Sequence, residues 1–200
     1  MTSCAALLAV ALAAPAAGAA GPGTPTDVAS RFYAAIHRFD AAGAAALASG
    51  KEAPRILSSF VELSRAYARL EEAVARRFGP EEASRVGYGA KSRAEALGFL
   101  AAHDEIDGDR ARVVGADGRT LASLTRVKGQ WRVDLVAALN LADGVEALER
   151  DARAAARASE VVIRGLAAGH FQAPAEALAD FEARTARAVR AAPRPGERSL

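Results

Sequence analysis

The chain has 200 residues, the length of one domain or of one domain behind a processed leader. Its 26 Lys+Arg against 24 Asp+Glu leave a formal net charge of +2, which excludes the dense cationic surface of a dedicated nucleic-acid binder. One Cys and three His are too few for a zinc cluster or a disulfide framework, and the 51% apolar share is inflated by Ala, which buries little area per residue.

Residues 1–20 read MTSCAALLAVALAAPAAGAA and carry no charged side chain. The apolar run Ala5–Ala14, followed by Pro15 and the small residues Ala17-Gly18-Ala19, predicts a secretory signal with an A-x-A-type cleavage site. The run is too short and too broken by Pro and Gly to span a bilayer. Cys4 precedes the apolar stretch, whereas a lipidated Cys would follow it. Cleavage near Ala20 therefore predicts a periplasmic or secreted protein with no membrane span, no cysteine and no thiol chemistry.

Gly21-Pro22-Gly23 reads as a linker and Thr24-Pro25-Thr26-Asp27 as a helix start, with Thr24 as N-cap and Pro25 at the first position. Val28, Phe32, Ile36 and Phe39 then fall on one face, and Asp40 is placed to cap a second short helix through Leu47. Between Pro54 and Phe78 the residues Ile56, Phe60, Leu63, Tyr67, Leu70, Val74 and Phe78 predict a long amphipathic helix that Gly79-Pro80 stops. Glu72 and Arg76 form an i,i+4 pair on its wet side. After a short helix and turn, Ser92 is placed to cap a helix that buries Ala96, Phe99 and Leu100.

The period then changes from 3.6 to 2. Segments 102–107, 110–116, 120–127 and 130–136 predict the strands of an antiparallel meander, with two-residue turn signals at Asp107-Gly108, Asp117-Gly118 and Lys128-Gly129. A second long helix follows, marked by Val145, Leu148, Ala152, Ala155, Ser159, Val162 and Leu166, with Glu146/Arg150, Glu149/Arg153 and Glu160/Arg164 spaced for pairing. Gly169 breaks it, Pro174 starts a last helix with Leu178, Phe181 and Val189 inward, and residues 193–200 read as a frayed tail.

Phe32-Tyr33 and Asp40 in the first helical region, the run Asp107-Gly108-Asp109-Arg110-Ala111-Arg112-Val113, and the strand Gly129-Gln130-Trp131-Arg132-Val133-Asp134 resemble the nuclear transport factor 2-like (ketosteroid-isomerase-like) superfamily. The resemblance implies a sheet curved around a cavity that binds a small molecule, with isomerase or dehydratase chemistry through Asp and His in some members. Residues 54–101 read as helix where that family has strands, and two helices follow the Trp strand where that family ends.

Acid–base chemistry requires a His or carboxylate in a water-poor pocket. Strand alternation puts His103 and Glu105 on one face, as the candidate catalytic pair, with Arg112, Arg132 and Asp134 on neighbouring strands and Tyr33 on the first helix as candidate ligand contacts. The competing reading is a solvated face of cross-strand ion pairs. His37 and His170 read as ordinary helix-end residues, and Trp131 as core. The His spacing contains neither H-x-H nor H-E-x-x-H, and no Walker, GxGxxG or G-x-S-x-G pattern occurs, so no metal and no cofactor are expected. Arg184, Arg187, Arg190, Arg194 and Arg198 give the C-terminal end a basic bias.

These readings converge on one α+β domain over residues 24–192, mostly helical, with long amphipathic helices packed on a three- to four-stranded antiparallel meander. The expected role is an exported, non-catalytic binding or structural domain holding a small ligand or partner. The alternatives are a cofactor-independent isomerase or lyase with a sheet-lined cavity, and a module self-associating through the Ile56–Phe78 stripe.

Overall fold

The structure, a computed structural model, describes residues 23–84, 86, 97–135 and 144–191. The leader, the Ser92 cap with Ala96 and the 193–200 tail lie outside the described residues. The fold is α+β, with helices packed on a four-stranded antiparallel sheet.

Helix α1 (Pro25–His37) opens on a reciprocal capping box: Asp27 N–H donates to Thr24 Oγ1 at 3.1 Å and Thr24 N–H donates to Asp27 Oδ2 at 3.2 Å. It buries Val28, Ala29, Phe32, Ala35 and Ile36. The chain leaves it through Phe39 at φ +59°, with Phe39 N–H bonded to Ile36 O and Asp40 N–H to Ala35 O, both at 2.9 Å. This is a Schellman ending with a phenylalanine where glycine is usual, a left-handed backbone that costs a side-chain-bearing residue about 1–2 kcal/mol.

Asp40 caps α2 (Ala41–Ala45) by accepting from Gly43 N–H at 2.8 Å. The helix ends two residues before the expected Leu47, because residues 47–49 leave it to bind the sheet instead. Val133 N–H donates to Leu47 O, and Ser49 N–H to Val133 O, each at 2.9 Å.

Helix α3 (Ala53–Phe78) runs 26 residues, about 39 Å, and stops at Gly79, whose φ of +101° favours glycine. A four-residue helix, α4 (Pro80–Ala83), follows. The single stripe expected along α3 is incomplete. Ile56, Leu70 and Val74 are buried, but Phe60, Leu63 and Phe78 are only half-buried and Tyr67 is exposed, while Ala53, Leu57, Val61, Ala66 and Ala73 are buried beside them. The helix is clasped on more than one side, so its covered surface is wider than one stripe.

The sheet has the order β1 (His103–Asp107), β2 (Arg110–Val114), β3 (Thr120–Val127), β4 (Gln130–Val133). Lys128-Gly129 is the two-residue turn expected, both residues at positive φ, +51° and +79°. In the first hairpin the register pairs Asp107 with Arg110, so the loop is Gly108-Asp109, one residue later than the signal. The Asp117-Gly118 turn is longer than two residues: the register shifts at Val113/Val114 and the pairing Val114–Thr120 leaves a five-residue loop, 115–119. Strand β4 ends at Val133, short of the expected Val136, because the backbone is already helical at Leu135. Ahead of β1, Phe99 is buried as expected but Leu100 is 83% exposed.

Helix α5 (Gly144–Ala167) lies along α3, and α6 (Pro174–Ala191) packs against α5. A Schellman motif joins them, with Gly169 at φ +74° and His170 N–H bonded to Gly165 O at 2.9 Å. Two cores result. Phe32, Ile36, Val113, Leu124, Trp131 and Val133 fill the space between α1, the sheet's inner face and the first half of α3. Leu70, Val74, Val162, Leu166 and Phe181, with Ala66, Ala73, Ala155, Ala158 and Ala177, form the other between the second half of α3, α5 and α6. None of the described helices is long and apolar enough to cross a membrane.

Candidate functional site

Beneath the sheet, where a curved-sheet ligand cavity would lie, Phe32, Val113, Leu124 and Val133 are fully buried. Tyr33 ties α1 to this layer: its hydroxyl donates to Leu121 O at 3.2 Å, and its ring meets Phe32 edge-on and Phe99 at a tilt, each at 5.3 Å between centroids. Asp104, on the same inner face, accepts from Thr26 N–H at 3.0 Å and Thr26 Oγ1–H at 2.6 Å, placing a carboxylate at the first turn of α1.

Alternation keeps His103 and Glu105 on one face, as the sequence predicts, but that face is the outer one and not a water-poor pocket. Glu105 sits across from Arg112 in register and accepts from its Nη2 at 2.7 Å, while His103 Nε2 lies 3.9 Å from Glu105 Oε1. The side chains of His103, Glu105 and Arg112 are 63%, 44% and 64% exposed, so water reaches all three. Arg132 is engaged with Gln130 Oε1 at 2.8 Å, and Asp134 is tied to β3 through its own N–H, which donates to Ser123 O at 2.9 Å. The structure thus gathers His103, Glu105 and Arg112 into one row. Arg132 and Asp134 lie farther across the sheet, and Tyr33 belongs to the inner layer.

His170 is exposed at the α5–α6 corner, whereas both ring nitrogens of His37 are shielded from solvent. Trp131 is buried, with the Arg126 guanidinium 4.3 Å above its ring. Together with Pro25, Asp104 and Ile106, these two line a hollow of about 450 Å³ beside the start of α1. Among the described residues no group of three or more His, Cys, Asp or Glu is arranged to hold a metal.

Two of the α5 carboxylates expected to pair along their own helix, Glu146 and Glu149, reach to α3 instead. Arg55 of α3 donates to Glu149 through Nε and Nη2 (2.9 Å for the latter) and lies 3.5 Å from Glu146, while Arg150 turns to Asp151 at 3.3 Å. The hydrogen bond to Glu149 holds the Arg55 guanidinium above its usual range, and the same bond holds the Glu149 carboxyl below the usual carboxylate range.

An open polar cleft of about 400 Å³ lies where the two cores meet. The α1–α2 corner supplies Phe39 and Ala41; α3 supplies Ser58, Val61, Glu62, Arg65, Ala66 and Arg69; and α5 supplies Ala156, Ser159 and Glu160. Positions 58, 62, 65 and 69 share one helical face, so α3 presents an alternating polar ridge to the opening. Arg65 is held in place by Phe39, donating to its carbonyl at 3.4 Å and lying 5.4 Å from its ring centroid. Left-handed backbone at Phe39 is what brings both its carbonyl and its ring to this corner. In the sequence these charges look like any solvated helix face; only the positions of Phe39 and Glu160 turn that face into a wall. Comparison with protein-family models, curated proteins and solved structures finds no match to this chain.

Proposed function

We propose that the chain is an exported, non-catalytic binding domain that holds a small ligand or partner in the cleft between its two cores. The observation that carries this reading is the cleft's construction: charged side chains from two helices converge on a space beside Phe39, a residue kept in a strained conformation at its rim. A relation to the nuclear transport factor 2-like superfamily belongs to the same proposal. It is supported by a helix bearing the Phe32-Tyr33 pair packed on a meander that ends in the Trp131 strand, and it is limited to that half of the chain. Since Phe32, Val113, Leu124 and Val133 occupy the region under the sheet, the ligand is expected at the core junction instead.

The test is expression of the full chain with its leader, purification from the periplasm, and a native mass spectrum. The expected result is a mature mass shortened by about the first 20 residues, carrying a co-purifying small mass that Arg65→Gln removes. A full-length mass recovered only in the cytoplasm would overturn the export reading, and a co-purifying mass unaffected by Arg65→Gln would overturn the assignment of the cleft.

A further inference from the structure

We infer that the cleft takes a small zwitterion, a molecule bearing a carboxylate and an ammonium group, of the size of an amino acid or a dipeptide. This rests on the reading of the cleft as the binding site and adds the chemistry of the occupant. Four charged side chains line the space, two of each sign: Glu62, Arg65 and Arg69 on α3 and Glu160 on α5. Among the described residues none of the four is joined to another of them by an ion pair. Glu62 and Arg65 are spaced i,i+3 on one helix, a separation that permits pairing, yet Arg65 turns to the Phe39 carbonyl and ring. Arg65 and Arg69, four residues apart, are like charges on adjacent turns and disfavour each other until an anion lies between them.

All four are exposed and solvated in the free protein, and opposite charges placed around one opening without pairing with one another suit a ligand that carries both. A simple carboxylate would answer the two arginines and leave Glu62 and Glu160 facing it. A simple amine would do the reverse. A zwitterion places its carboxylate at Arg65 and Arg69 and its ammonium at Glu62 and Glu160, with Val61, Ala66 and Ala156 as an apolar bed for a short side chain. A volume of about 400 Å³ sits at the lower end of the range for small-molecule sites and suits a ligand of this size.

The experiment is an amide NMR titration of the ¹⁵N-labelled protein with three probes: alanyl-alanine, its N-acetylated form, and its C-terminal amide. Alanyl-alanine is expected to shift the signals of Phe39, Ala66 and Ala156, and each capped form to bind about tenfold more weakly. Arg69→Gln should erase the preference for a free carboxylate, and Glu160→Gln the preference for a free ammonium group. Capped probes that shift the same signals at the same concentrations would overturn the zwitterion while leaving the cleft as a site. If none of the three probes moves those signals, both the inference and the placement of the site at the cleft fall.

Discussion

The two cores are built from different materials. On the sheet side, Phe32, Phe99, Trp131, Ile36 and Leu124 supply large side chains, and the backbone is fixed by hairpin registers. On the helical side most buried positions are Ala, with Leu70, Leu166 and Phe181 as the large members. Small residues let α3 and α5 approach closely, but they bury little apolar area each. The sheet-side core therefore spreads its stability over many contacts, whereas the helical core concentrates it in a few side chains. Helix α3 belongs to both, with Ile56, Leu57 and Val61 buried in one and Leu70, Ala73 and Val74 in the other, while α5 joins the first only through the half-buried Val145 and Leu148.

The largest test of this contrast is removal of one aromatic from each side. Phe32→Ala and Phe181→Ala each delete a fully buried ring and should each cost about 3–5 kcal/mol in denaturant unfolding. The sole Trp lies in the sheet-side core, so its fluorescence reports that half while far-UV dichroism is dominated by the helices. If α3 couples the halves, the two signals coincide in both variants. A Phe181→Ala protein whose dichroism is lost before its Trp131 fluorescence changes would show that the spine does not bind the two into one cooperative unit.

A smaller effect should follow from enlarging the helical core. Ala155 is fully buried in the helical core, so Ala155→Leu adds volume where small residues line the core, and should cost about 1–3 kcal/mol, measured by urea unfolding. An unchanged midpoint would mean that the helices can separate at little cost, contrary to the close approach inferred from their Ala content.

The smallest effect concerns the Arg55–Glu149 pair between α3 and α5. The carboxyl is held below its ordinary range in the folded chain, so its contribution to stability is present above the unfolded-state value and is lost as pH falls through the lowered folded value. In melting curves across the acidic range, Arg55→Ala should differ from the parent protein near neutrality and converge with it as the pH falls. The gap is expected to be modest because the arginine is exposed.

Much of the first core was legible because its signals are local. The Thr24-Pro25-Asp27 start needs only three residues to complete a cap, and Lys128-Gly129 can satisfy two successive positive φ values. That His103 and Glu105 share a face followed from alternation, but the choice of Arg112 as the partner of Glu105 did not, since it depends on a turn one residue later than the Asp107-Gly108 signal. The 115–119 loop was not legible, since a register shift at Val113/Val114 is decided by packing rather than by the Asp117-Gly118 signal. The second face of α3 was hidden for another reason: Ala66, Ala73 and Ser64 are buried, but small side chains give no hydrophobic period. The cleft was least legible of all. Glu62, Arg65, Arg69 and Glu160 are each unremarkable on a helix, and their relation depends on how two helices separated by the entire sheet come to lie side by side.

The strap at residues 47–49 has a consequence for how this protein meets its neighbours. By bonding to Val133 it occupies the end of the β4 edge, whereas among the described residues no segment pairs with the outer edge of β1. That remaining border reads His-Asp-Glu-Ile-Asp, a polar sequence with three carboxylates. An approaching strand of a second copy would bring its own carboxylates toward these, and the repulsion discourages sheet-to-sheet polymerisation at this edge. The two margins of the sheet are thus guarded differently, one by a backbone pairing at Val133 and the other by its own carboxylates.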